Sequence, residues 1–267
     1  MPQEQAYEGP QSGTRVSELA GTPEAQEALC TVIRDTAWTS LDDVRAIVAL
    51  GGVTHPTEES LRTLWEASMR GHSSSPEGVA SSTAALALGS VGSGMYSADD
   101  ERYPSLRQDL SNAAFGASDA HEKATYVRAL GNTGDPSLSR EIVSLLDDED
   151  AGVRSAVAQS LGSLGPSPVA GDLMRRLKQE KSGVVRSSIA EALVSWESPP
   201  PAAMESVRAA IRAEPDESAR FNMARILAKN VETFPENGEV LQDLLRAEKS
   251  KRIRRHVAET LAAAENK

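Results

Sequence analysis

The chain has 267 residues, 39% of them hydrophobic and only 4% aromatic, and carries a formal charge of −11. That is enough apolar material for a buried core, while the acidic balance argues against a nucleic-acid binder. The single cysteine, Cys30, excludes an intramolecular disulfide framework, and no apolar run approaches the ~18 residues of a membrane span.

The N-terminal residues Met1–Gly13 are polar and contain Pro2, Gly9, Pro10 and Gly13. They lack the charged and apolar regions of a signal peptide, which favours a cytoplasmic location. Residues 1–14 are read as a disordered segment and 15–267 as one domain. From there apolar residues recur at helical spacing. The spacing predicts helix pairs at 24–34 and 40–50, 57–69 and 78–91, 105–115 and 121–133, 139–146 and 151–164. Three further pairs follow at 170–178 and 184–196, 202–212 and 217–229, 238–247 and 251–264. Irregular loops are expected at 70–78, 92–104 and 116–120. No alternating strand pattern of useful length occurs, so the expected fold is all-α.

These pairs echo one another. Leu50, Leu88, Leu130, Leu161, Leu193, Leu227 and Leu261 each fall near the end of a second helix. Seven residues before the last four stand Arg154, Arg186, Arg220 and Arg254, each preceded by an apolar side chain: Val153, Val185, Ala219 and Ile253. Self-similarity at about 30–40 residues is the signature of a helical solenoid, here of about seven pairs. Short amphipathic helices of this kind are marginal alone and must bury their stripes on neighbours.

The unit Asp150-x-x-Val153-Arg154-x-x-Val157-x-x-x-Leu161, with its echoes from Val185 and Ile253, resembles the HEAT repeat family. The resemblance implies that a turn aspartate and the helix arginine pair along the stack. Asp150 and Asp216 keep that acid, whereas Ser182 and Ser250 replace it, which predicts an interrupted ladder. The order of motifs in the first half is similar to the helical domain of vitellogenin-type large lipid transfer proteins. Those motifs are Ala20-Gly21-Thr22-Pro23, Leu50-Gly51-Gly52-Val53-Thr54-His55-Pro56, Ala85-Leu86-Ala87-Leu88-Gly89 and Leu130-Gly131-Asn132-Thr133-Gly134-Asp135-Pro136. This second resemblance covers roughly residues 15–168 and implies an arc of paired helices without the lipid-bearing sheets.

Charge is unevenly spread. Residues 1–150 hold 24 acids and 10 bases, whereas residues 151–267 hold 15 acids and 18 bases. The basic C-terminal half, with Lys249, Lys251, Arg252, Arg254 and Arg255 close together, suits an acidic partner. Such stacks offer extended inner surfaces, so the expected function is a non-catalytic scaffold binding another protein there. Arg154, Arg186, Arg220 and Arg254 are read first as structural and second as partner contacts. Trp38, between two predicted helices, is the tryptophan placed best to anchor a partner; Trp65 and Trp196 are read as core. The alternatives are a lipid-binding helical module and, after it, a lyase-type or cofactor-attachment HEAT protein.

Catalytic signatures are absent from the sequence, and the chain is read as not an enzyme and without a cofactor. His55, His72, His121 and His256 form no metal-spaced pair. Asp99-Asp100-Glu101 and Asp147–Asp150 lack a calcium-loop pattern and are read as turns. The glycines at 89, 92 and 94 close a helix, so they form no phosphate loop.

Overall fold

The computed structural model describes residues 21–35, 41–71, 77–165 and 169–265. Trp38 and the N-terminal segment 1–14 lie outside the described residues. Fourteen α-helices form, with no strand among the described residues, so the fold is an all-α solenoid. The helices gather into two compact units that divide between Tyr103 and Pro104.

The first unit contains α1 (Pro23–Asp35), α2 (Leu41–Gly51), α3 (Glu58–Ser68) and α4 (Gly78–Ser97). Proline at the first position of α1 fits the fixed φ of a helix start. The Thr57 hydroxyl caps α3 by accepting from the Ser60 N–H at 3.1 Å, with Glu58 and Glu59 favourably placed against the helix dipole. Gln26, almost fully buried, joins α1 to that cap. Its Oε1 accepts from the Thr57 N–H at 2.8 Å and the Ser60 hydroxyl at 2.7 Å, and its Nε2 donates to the His55 carbonyl at 3.1 Å. Cys30 is buried beside Ser60.

α4 corrects the expected loop over 92–104, since the helix continues to Ser97. Glycines at 92 and 94 suggested an end, yet Val91 and Met95 are fully buried and hold this stretch against the core. A Cβ on Gly94 would make an ordinary contact of 3.4 Å with the Thr54 backbone. Just past the helix Asp99 takes a left-handed φ of 55°, and the Asp100 N–H closes back on the Met95 carbonyl.

The second unit carries α5 (Tyr103–Gly116), α6 (Ala120–Asn132), α7 (Ser139–Ile142), α8 (Ala151–Ser163), α9 (Ala170–Gln179), α10 (Gly183–Ser195), α11 (Pro201–Ile211), α12 (Glu217–Lys229), α13 (Glu236–Ala247) and α14 (Lys251–Glu265). The helix expected at 139–146 is only one α-turn, α7, flanked by 3₁₀ turns at Pro136–Leu138 and Val143–Asp147. Leu138, Ile142 and Leu146 nevertheless all reach the core.

The second helices α6, α8, α10, α12 and α14 pack in a continuous row. Asp119, Asp150 and Asp216 cap three of them through backbone N–H groups. Small residues set the spacing: a Cβ on Gly131 would fall 2.8 Å from the Ser160 Cα, and one on Gly162 would fall 2.7 Å from the Ala192 Cα. Leu130, Leu161, Leu193 and Leu227 are fully buried along this row. Each contributes about 2 kcal/mol of transfer free energy, which supplies what the short helices lack in isolation.

Candidate functional site

The repeated arginines form a ladder of ion pairs between successive turns of the second unit. Arg154 donates from Nε and Nη2 to the Glu180 carboxylate at 2.8 and 3.0 Å. Arg186 does the same to Glu214 at 2.6 Å for both bonds, and Arg220 to Glu248 at 2.9 and 3.3 Å. The third donor of each fork, Nη1, bonds two carbonyls of its own turn: Asp148 and Glu149, Glu180 and Lys181, or Glu214 and Pro215. Lys123 starts the series with Asp148 at 2.9 Å.

This ladder is continuous where the sequence pattern predicted an interruption. The acid is a glutamate two residues before the helix cap, so Ser182 and Ser250 do not break it. The signal was present: Asp148, Glu180, Glu214 and Glu248 each precede a ladder arginine by six residues. Each carboxylate also accepts from the backbone two residues on, at the Asp150, Ser182, Asp216 or Ser250 N–H. Such a buried carboxylate is satisfied from several sides. Burial works to raise the Glu180 carboxyl, but hydrogen bonds from Arg154, the Ser182 N–H and Arg176 hold it down to about 2. The Glu248 carboxyl is lowered chiefly by Arg220, and Arg220 is raised in turn by that same bond.

Arg154, Arg186 and Arg220 are thus engaged inside the fold. Arg254 occupies the same register on α14 but is exposed and makes no ion pair among the described residues. Trp38 lies outside them. Trp196 is 1% exposed and belongs to the core, and Trp65 is half-buried on α3.

The opposite side of the second-helix row carries polar residues five positions after the ladder: Arg128, Gln159, Glu191, Arg225 and Glu259. Arg128 donates to Gln159 at 3.3 Å, and burial lowers its pKa from the ordinary arginine value. Sequence reasoning did not single out the cluster at the end of this row. There the Arg252 guanidinium lies 3.6 Å over the Phe221 ring, the Arg225 guanidinium 5.9 Å from it, and the His256 ring 5.7 Å away. Phe221 is on α12 and Arg252 and His256 on α14, so only stacking brings them together. Burial, reinforced by Arg225, lowers the pKa of His256.

Among the described residues, no group of three His, Cys, Asp or Glu side chains is placed to hold a metal ion, and no helix is long and apolar enough to cross a membrane. A cleft of about 450 Å³ opens between α11 and α13. Ile211, Val240 and Leu244 line it together with Arg212, Asp243 and the Arg220–Glu248 pair, which differs from the wide apolar cavity a lipid carrier requires.

Residues 107–194 match the HEAT repeats family. No curated protein matches the chain, and the vitellogenin-type resemblance finds no support. Similar solved structures include human deoxyhypusine hydroxylase in complex with glycerol, at 15% identity and a TM-score of 0.38, covering 96% of this chain and 99% of that one. Another is the complex of CpcE and CpcF of phycocyanin lyase from Nostoc sp. PCC7120, at 17% identity and a TM-score of 0.48, covering 98% of each chain. The expectation that the chain is not an enzyme does not stand: it rested on missing motifs alone, and the solved structures that match include those of a hydroxylase and a lyase. Missing catalytic motifs do not exclude activity in a helical-repeat chain; the likeness itself is one of fold and assigns no reaction. The chain is a helical repeat protein whose stretch from 107 to 194 is similar to HEAT repeats.

Proposed function

We propose that the chain is a protein-binding repeat module that meets its partner on the exposed side of the second-helix row in the Pro104–Lys267 unit. One observation carries this reading. Positions that stack are nearly uniform: Lys or Arg on the ladder, small or branched Val127, Ala158, Ala190 and Ala224 four residues on, and leucine seven residues on. Five residues on, on the side away from the ladder, the side chains are Arg128, Gln159, Glu191, Arg225 and Glu259. Repeats thus agree where they build the fold and differ along one accessible line, as a surface that reads a partner requires. Its C-terminal end suits an acidic segment of that partner.

A photo-crosslinking side chain placed at Gln159 or Glu191 in the source cells tests this. Covalent protein adducts are expected from both positions and not from the exposed Arg140 on the first-helix side. Adducts from position 140 alone would overturn the assignment.

A further inference from the structure

Arginines of this chain are commonly matched to carboxylates: Arg34 to Glu59, Arg102 to Asp100, Arg107 to Glu141, Arg175 and Arg176 to Asp147. Arg225 and Arg252 are among those that are not, and both lie against the Phe221 ring. Among the described residues neither is ion-paired; Arg225 donates only to the Asn222 side chain at 3.1 Å, and Arg252 is held by the face of Phe221. The nearest acid along α14, Glu259, lies 3.8 Å from Arg255 in an exposed pair.

Lys251, Arg252 and Arg254 occupy the first turn of α14, where the backbone N–H groups already create positive potential. Asp119, Asp150 and Asp216 cap α6, α8 and α12 at that end, whereas α10 begins at Ser182 with no acid in its first turn and α14 at Ser250, whose hydroxyl donates to Glu217 at 2.7 Å. Glu248 and Glu217 serve the cap of that helix, whereas Arg252 stays exposed against Phe221, open to something outside the fold.

We propose that Arg225 and Arg252, held around Phe221, form the contact for carboxylate side chains of an acidic peptide segment in the partner. This rests on the protein-binding reading above and names the chemistry of its C-terminal end. A guanidinium fork matches a carboxylate in two parallel bonds. Stacking on Phe221 restrains Arg252 before the ligand arrives and lowers the ordering cost of binding. The ring edge supplies apolar surface for the methylenes of a glutamate. Binding weakens as salt rises.

The test uses the full chain and a fluorescein-labelled hexaglutamate peptide, with fluorescence anisotropy as readout. Saturable binding is expected, weakened at least about tenfold by the double substitution Arg225→Gln and Arg252→Gln and unchanged by Arg212→Gln. An unchanged melting temperature shows that the double variant is folded. Absence of saturable binding by the parent chain, or equal affinity in the double variant, overturns the proposal. Displacement of the peptide by inorganic phosphate, at concentrations where acetate has no effect, also overturns it in favour of a phosphate site. Crosslinks at Gln159 and Glu191 without hexaglutamate binding would leave the protein-binding reading in place and remove only the acidic contact.

Discussion

Arg186 holds the Glu214 carboxylate through two hydrogen bonds of 2.6 Å while its remaining nitrogen bonds the carbonyls of Glu180 and Lys181. One guanidinium therefore links the turn that precedes its own helix to the turn of the next repeat. Glu214 is itself buried, so removal of Arg186 leaves a carboxylate without its main counter-charge. Arg186→Met is expected to lower stability by about 3 kcal/mol, read as a reduced urea midpoint. Arg186→Lys recovers only part of this, because an ammonium cannot fork. An Arg186→Met chain as stable as the parent would show that the rung does not hold the stack.

The ladder also sets a response to acid. Glu180 titrates at about 2 in the folded chain against 4.5 as its ordinary value. A depressed carboxylate pKa contributes stability that is complete above pH 4.5 and declines as pH falls toward 2. Glu180→Gln should flatten this part of the stability–pH curve while lowering stability at neutral pH. Thermal unfolding of both chains between pH 2 and pH 7 measures it, and parallel curves would count against the assignment.

Glycine substitutions separate spacing from flexibility. At Gly162 an added Cβ meets the Ala192 backbone at 2.7 Å, whereas at Gly171 nothing lies within 4 Å. Gly162→Ala is expected to cost about 1–3 kcal/mol by forcing α8 and α10 apart. Gly171→Ala, near the start of α9, should be neutral or gain a few tenths to about 1 kcal/mol by restricting the unfolded chain. Chemical denaturation of the two variants checks this opposition directly.

His256 gives a second pH signal. Its Nε2 is buried without a hydrogen-bond partner among the described residues, and burial with Arg225 nearby depresses its pKa below 6.5. A depressed histidine favours the neutral ring in the folded state, so its contribution is complete above pH 6.5 and falls as pH drops below it. NMR titration of the ring should give a midpoint under 6.5, and Arg225→Gln should move it upward. A midpoint above 6.5 would contradict the described packing.

Helix positions were legible in the sequence because each depends on neighbours within a turn or two. The stripe Val153, Val157 and Leu161 marks α8, and Asp150 marks its start. The exceptions arise where packing outweighs local preference. Val91 and Met95 carry α4 through two glycines, and after the Asp135–Pro136 turn Leu138, Ile142 and Leu146 reach the core from a single α-turn and the 3₁₀ turns on either side of it. The seven-residue offset between arginine and leucine likewise identified the repeated unit from the chain alone.

Local periodicity determined that this protein is a stack of helix pairs and which residues face its core. Tertiary structure decided what each arginine does. Arg186 meets Glu214, and Arg252 meets Phe221, only after consecutive repeats are brought into register by contacts such as Gly162 against Ala192. That register is a property of packed surfaces, whereas a sequence pattern reports only which side of a helix is apolar. The same residue type therefore becomes a buried rung at Arg186 and an open contact at Arg252, because the first has an acidic turn stacked over it and the second has an aromatic ring beneath it and solvent above.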